Sequence, residues 1–223
     1  MPEILIIRLE GVLQSWGVRS RWSSRDSGFF PSKSGVAGLL SCALGYLRDD
    51  ARIHSLQQGL QMAVRADRPG SMITDYHTIT RYGGNLTAAT GKKRTMPTKS
   101  NDEPDTIISQ RQYLQDASFT VFLTGSHDTL KMCANALQSP KWQLYLGRKS
   151  CPPTMPIFVG MTNQYASLSD AVRHFPLREG AKMPCLCEID EPNGRILRQD
   201  IYVRSGLQYG SRRLDLLRVE GDA

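Results

Sequence analysis

The 223 residues carry 28 Lys and Arg against 21 Asp and Glu, for a formal charge of +7, and 40% are hydrophobic. That is core enough for one generous domain with a small appendage, and the basic balance suits a polyanionic partner without requiring one. No apolar run nears the roughly 18 to 20 residues that cross a bilayer, and Glu3 and Arg8 bracket only four apolar positions, which is wrong for a signal peptide; a cytoplasmic protein with no membrane partner is expected.

The first strand is expected from Glu3 to Leu9, ended by Gly11. An irregular stretch with Trp16, Trp22, Arg19, Arg21 and Arg25 follows. Val36, Leu39, Leu40, Ala43, Leu44 and Leu47 recur at helical spacing and predict a helix from Ser34 to Leu47, capped by Ser32 or Ser34. A shorter helix is expected near Ile53 to Gln58, then strands at Leu60 to Ala66 and Met72 to Arg81. The span from Tyr82 to Pro104 has no hydrophobic period and holds Lys92, Lys93, Arg94 and Lys99, which suits the tip of a long hairpin. Ala117 to Thr124 reads as a strand and His127 to Leu137 as a helix. Leu144 to Gly147 and Ile157 to Gly160 look like strand material. Cys185 to Ile189, Arg195 to Val203 and Arg212 to Val219 look like strands of a small extra sheet. The order suits an α+β, ferredoxin-like βαββαβ sandwich, as in the common RNA-recognition module.

The five cysteines are odd in number and scattered, which argues against a disulfide framework. The lone Cys185-x-Cys187 reads as alternate positions of a strand, and no metal or other cofactor is expected. Lys33, Ser34 and Gly35 open a helix, where free backbone N–H groups and a cation suit a phosphate; taken alone, the segment is better explained as an ordinary capped helix with a solvated lysine. Gly147, Arg148, Lys149 and Ser150 combine close backbone approach with a fork-shaped and a point charge. Gln14, Trp16 and Gly17 offer a loop aromatic that could stack on a base or simply close one edge of the core. The four histidines, His54, His77, His127 and His174, form no metal or nucleophile motif. Of them, His77 after Asp75 is the best candidate base for metal-free RNA cleavage, although no second His or Lys stands beside it.

Taken in order, Gln14-Ser15-Trp16-Gly17, Phe30-Pro31-Ser32-Lys33-Ser34-Gly35, Asp75-Tyr76-His77-Thr78, Asp116-Ala117-Ser118-Phe119 and Tyr145-Leu146-Gly147-Arg148-Lys149-Ser150-Cys151-Pro152 closely resemble CasD, the type I-E form of the fifth CRISPR-associated (RAMP) family. The resemblance covers roughly residues 3 to 160. It implies a ferredoxin-like domain at 1–160, with a β-hairpin thumb inserted at about 78–110; the strand pattern beyond it leaves a small β-rich extension at 161–223. It also implies a non-catalytic subunit of the Cascade complex that holds the 5′ handle of the CRISPR RNA and contacts an adjoining backbone subunit and the large subunit. Contact with target DNA through the complex stays open. Arg111 falls at the thumb base and becomes the leading handle contact. Gln14, Trp16, Gly17, Arg25, Lys33 to Gly35, His77 and Gly147 to Ser150 complete the expected RNA-binding set. A related branch cuts precursor RNA itself, so a metal-independent endoribonuclease is the alternative.

Overall fold

The computed structural model describes residues 1–18, 24–81, 105–204 and 208–220. In chain order the elements are β1 (Ile4–Glu10), β2 (Leu13–Gln14), β3 (Ser24–Arg25), α1 (Lys33–Leu44), α2 (Ala51–Gln58), β4 (Gln61–Arg68), β5 (Ser71–Arg81) and β6 (Asp105–Gln115). They continue with β7 (Ser118–Thr124), α3 (His127–Gln138), β8 (Phe158–Thr162), α4 (Leu168–His174), β9 (Cys185–Asp190), β10 (Ile196–Arg204) and β11 (Gln208–Val219). This is a mixed α+β chain.

Seven strands make one antiparallel sheet in the order β10-β11-β9-β4-β7-β1-β8. Alternate side chains of a strand point to opposite faces, and here both faces are covered. Leu5, Ile7 and Leu9 pack with Val64, Phe119 and Val121 beneath α1 and α3. Ile4, Ile6, Ala63 and Phe122 pack on the opposite face against Leu168, Ala171 and Val172 of α4. Double coverage is why the centre of β1 reads as a continuous apolar run.

α1 begins where the Ser32 hydroxyl accepts from the Gly35 N–H. It ends at Gly45, not at Leu47, because Gly45 turns left-handed (φ 75°) and returns its N–H to the last turn; Leu47 is then exposed. Leu144 to Gly147 is a loop, not a strand, since Gly147 at φ 86° reverses the chain. α4 is an element that the sequence pattern did not reveal.

The last strands also depart from expectation. They do not form a small sheet of their own: β9 pairs with β4, Ala63 opposite Ile189, and so extends the main sheet. Cys185 and Cys187 do alternate inward on β9, both buried.

A second sheet holds β5 and β6, with β2 and β3 on the other edge of β6. The hairpin arms start at Ser71 and Gln115, outside the 78–110 expected for the insertion. The basic cluster of residues 92–99 lies outside the described residues, as do Arg19, Arg21 and Trp22.

Candidate nucleic-acid interface

Register builds the first part of the site. β3 runs parallel to β6 with Arg25 opposite Arg111, and Arg148 reaches the same corner from the loop after α3. Its guanidinium donates to the carbonyls of Gln112 (3.1 Å), Arg25 (3.0 Å) and Asp26 (3.2 Å) and lies 4.7 Å from the centre of the Tyr113 ring. Arg148 therefore holds the two strands together while keeping its charge at the corner. The Arg25 guanidinium is pushed below its usual range, first by burial and then by the like charges of Arg111 and Arg148. Arg111 donates to the Ser109 hydroxyl at 3.3 Å. Three arginines meeting this closely make a field that favours an anion.

Across the hairpin, Asp75 stands opposite Arg111 and His77 opposite Ser109. His77 Nδ1 lies 3.7 Å from an Asp75 carboxylate oxygen. The other histidines go elsewhere: His127 to Glu3, His174 to Asp170 and His54 to the Tyr202 carbonyl.

Several expected contact residues serve the fold. Trp16 is 1% exposed, and its indole N–H donates to Gln14 Oε1 at 3.1 Å. Gln14 in turn donates to the carbonyls of Leu9 and Ala117. A buried indole cannot stack on a base, so Trp16 belongs to the core and Gln14 to its hydrogen bonding. Lys33 is likewise engaged. Its ammonium pairs with Asp190 at 2.8 Å, and its backbone N–H donates to Asp200 at 2.8 Å. The carboxylates of β9 and β10 thus occupy the helix start that suited a phosphate, and Lys33 does not share the corner of Arg111 and Arg148. Gly147 makes its close backbone approach to Ser15: an added Cβ would sit 1.7 Å from the Ser15 carbonyl oxygen. Gly35 seats α1 against the Trp16 ring, 2.9 Å from where a Cβ would stand. Lys149 and Ser150 are exposed beside Arg148.

Next to the arginine corner lies a groove of about 690 Å³, within the roughly 300 to 1,000 Å³ common for ligand sites. Gly17, Ser34, Gly35 and Gly147 from the expected set line it, together with an edge of the buried Trp16. Sequence reading missed Trp142, Tyr202 and Tyr209 on its walls; the one signal available was Gly38, a glycine inside a helical pattern. The groove meets the corner where Gly147 gives way to Arg148. Among the described residues, no group of three or more His, Cys, Asp or Glu side chains could hold a metal ion, and no helix is long and apolar enough to cross a membrane.

The family described as "CRISPR-associated protein (Cas_Cas5)" matches residues 4–215. The chain belongs to that family. It is 37% identical over 172 residues to the CRISPR system Cascade subunit CasD of Escherichia coli (strain K12), covering 72% of this chain and 71% of that one. Two solved structures carry the family's fold at 31% identity. One, described as a crystal structure of a Cas protein, superposes with a TM-score of 0.73 over 97% of this chain and 95% of the other. The second is a chain of a CRISPR RNA-guided surveillance complex, with a TM-score of 0.70 over 97% and 90%. The family match extends past residue 160 through β9 and β10, so the later strands are part of the family fold.

Proposed function

We propose that this chain is a non-catalytic subunit of a type I-E Cascade surveillance complex, binding and capping the 5′ handle of the CRISPR RNA. The observation that carries the reading is the convergence of Arg25, Arg111 and Arg148 at the base of the β5–β6 hairpin. On this reading β1, α1, β4, β7, α3 and β8 are the ferredoxin-like frame, their strands lying in the order β4-β7-β1-β8. The hairpin is the thumb that reaches the adjoining backbone subunit, and the large subunit docks nearby. Arg111 and Arg25 face phosphates, Lys149 and Ser150 flank them, and Arg148 positions the corner. Lys33 is spent on Asp190, and Gln14 and Trp16 support the site from within the core.

Binding of labelled CRISPR RNA with and without its 5′ handle tests this. The handle-bearing RNA binds more tightly. Arg111→Ala weakens it and lowers the slope of log affinity against log salt by about 0.7, the share of one phosphate on a single strand. Equal affinity for the two RNAs overturns the proposal. The second reading, a metal-independent endoribonuclease, has the Asp75–His77 pair beside Arg111 in its favour. Cleavage of repeat RNA in a chelator, abolished by His77→Ala, would establish it instead.

A further inference from the structure

We infer that the groove over α1 is a stacking site for unpaired nucleobases of single-stranded RNA, and that the C-terminal strands supply one of its walls. This rests on the RNA-binding reading above and gives a task to the last sixty residues.

The floor of the groove is α1. Gly38 sits mid-helix, where glycine is disfavoured, yet an added Cβ there would meet nothing within 4 Å. Packing does not require this glycine. What its hydrogen leaves is an open, flat patch on the floor. One turn along, Ser41 is 2% exposed, lines the same groove, and its hydroxyl has no hydrogen-bond partner. A buried hydroxyl without a partner is costly unless something outside the fold satisfies it.

The walls are aromatic. Trp142 and Tyr145 stand on one side, and Tyr202 and Tyr209, register partners on β10 and β11, on the other. Trp142 is 39% exposed and Tyr209 42%, so each offers a face to a visitor. Tyr202 is fixed: its hydroxyl donates to Asp49 at 2.7 Å, and its backbone N–H and carbonyl both pair with the Gln57 side chain. The β10–β11 wall is thus tied to α2 and held beside the floor. Arg48 lines the rim and supplies a cation for a phosphate. Flat rings on two sides, an open floor, a hydroxyl to satisfy and one cation suit a base with its phosphate better than an aliphatic or acidic ligand.

The test measures binding of the full chain to a fluorescein-labelled single-stranded RNA and to the same ribose-phosphate strand made abasic. Gly38→Leu projects a side chain over the floor from a position where its Cβ meets no atom within 4 Å, and the Trp142→Ala, Tyr209→Ala pair strips the walls. Each is expected to weaken the base-bearing strand about 5- to 150-fold, the range of one lost stack, and to leave abasic binding unchanged. Replacing the same pair as Trp142→Phe and Tyr209→Phe, which keeps a ring on each wall, loses much less of the base-bearing affinity than the alanine pair, while Arg111→Ala weakens both strands alike. Gly38→Leu binding the base-bearing RNA like wild type, or an equal loss on both strands, overturns the groove assignment while the Arg111→Ala result still judges the handle reading. A wild-type chain that binds no single-stranded RNA overturns both.

Discussion

Gly147 shows how one residue can be placed in the right neighbourhood for the wrong partner. Its sequence context, between an aromatic and two cations, points to close backbone approach, and the approach occurs, but to Ser15. An alanine there must adopt a left-handed backbone, for about 1 to 2 kcal/mol, and must also push the Ser15 carbonyl away. Gly147→Ala is therefore expected to lower the melting temperature by several degrees, since about 1 kcal/mol moves a chain of this size by roughly 2 to 4 °C; an unchanged melt would mean that the loop does not pack on Ser15. Trp16 and Lys33 likewise look like RNA contacts in sequence and serve the fold instead. What fixes them comes from far along the chain: Trp16 is held by its neighbour Gln14, which is itself locked by Ala117, 103 residues on, and Lys33 is held by Asp190, 157 residues on. Nothing local announces either. Arg111 and Arg148 could be singled out because cations beside a glycine or at a hairpin base stand out in sequence, although Arg25 joins them only through the parallel β3–β6 register.

Among elements, legibility followed length and period. β1, β4, β7, α1 and α3 are long and strongly patterned, and they lie within a few residues of their expected bounds. α4 has only seven residues and a largely polar surface, so its three buried positions do not make a visible stripe. Leu144 and Leu146 alternate inward as a strand would, and only the chain reversal at Gly147 makes them a loop. α1 carries its own anomaly in Gly38. Replacing an open mid-helix glycine with alanine removes backbone freedom from the unfolded chain and meets no atom, so Gly38→Ala is expected to stabilise the protein by about 0.5 to 1 kcal/mol in denaturant melts. A destabilised variant would show that the floor of the groove is already filled.

For the whole molecule, the decisive feature is how the C-terminal strands are locked to the rest. Asp190 and Asp200 converge on Arg212, while Lys33 at the start of α1 holds Asp190 by its ammonium and Asp200 by its backbone N–H. Glu188 extends this ionic cluster to Arg198. Glu188 is almost wholly enclosed, and burial pushes its carboxyl from 4.5 up to about 7, against the pull of Arg198 and Arg212. A carboxyl raised on folding binds a proton more tightly in the native state than in the unfolded one. Its stabilising contribution is therefore complete below about 4.5 and fades as pH rises through about 7. Glu188→Gln cannot ionise and escapes that loss. The melting temperature of the variant minus that of the wild type should thus grow between pH 5 and pH 8, with an upper bound on the order of 3 kcal/mol in stability. Repeating the melts with Arg198→Gln separates the causes: without that cation the wild-type loss at high pH should deepen. A gap between wild type and Glu188→Gln that stays constant across the range would mean that Glu188 is ionised throughout and that the lock between β9, β10 and α1 is purely a set of charged pairs.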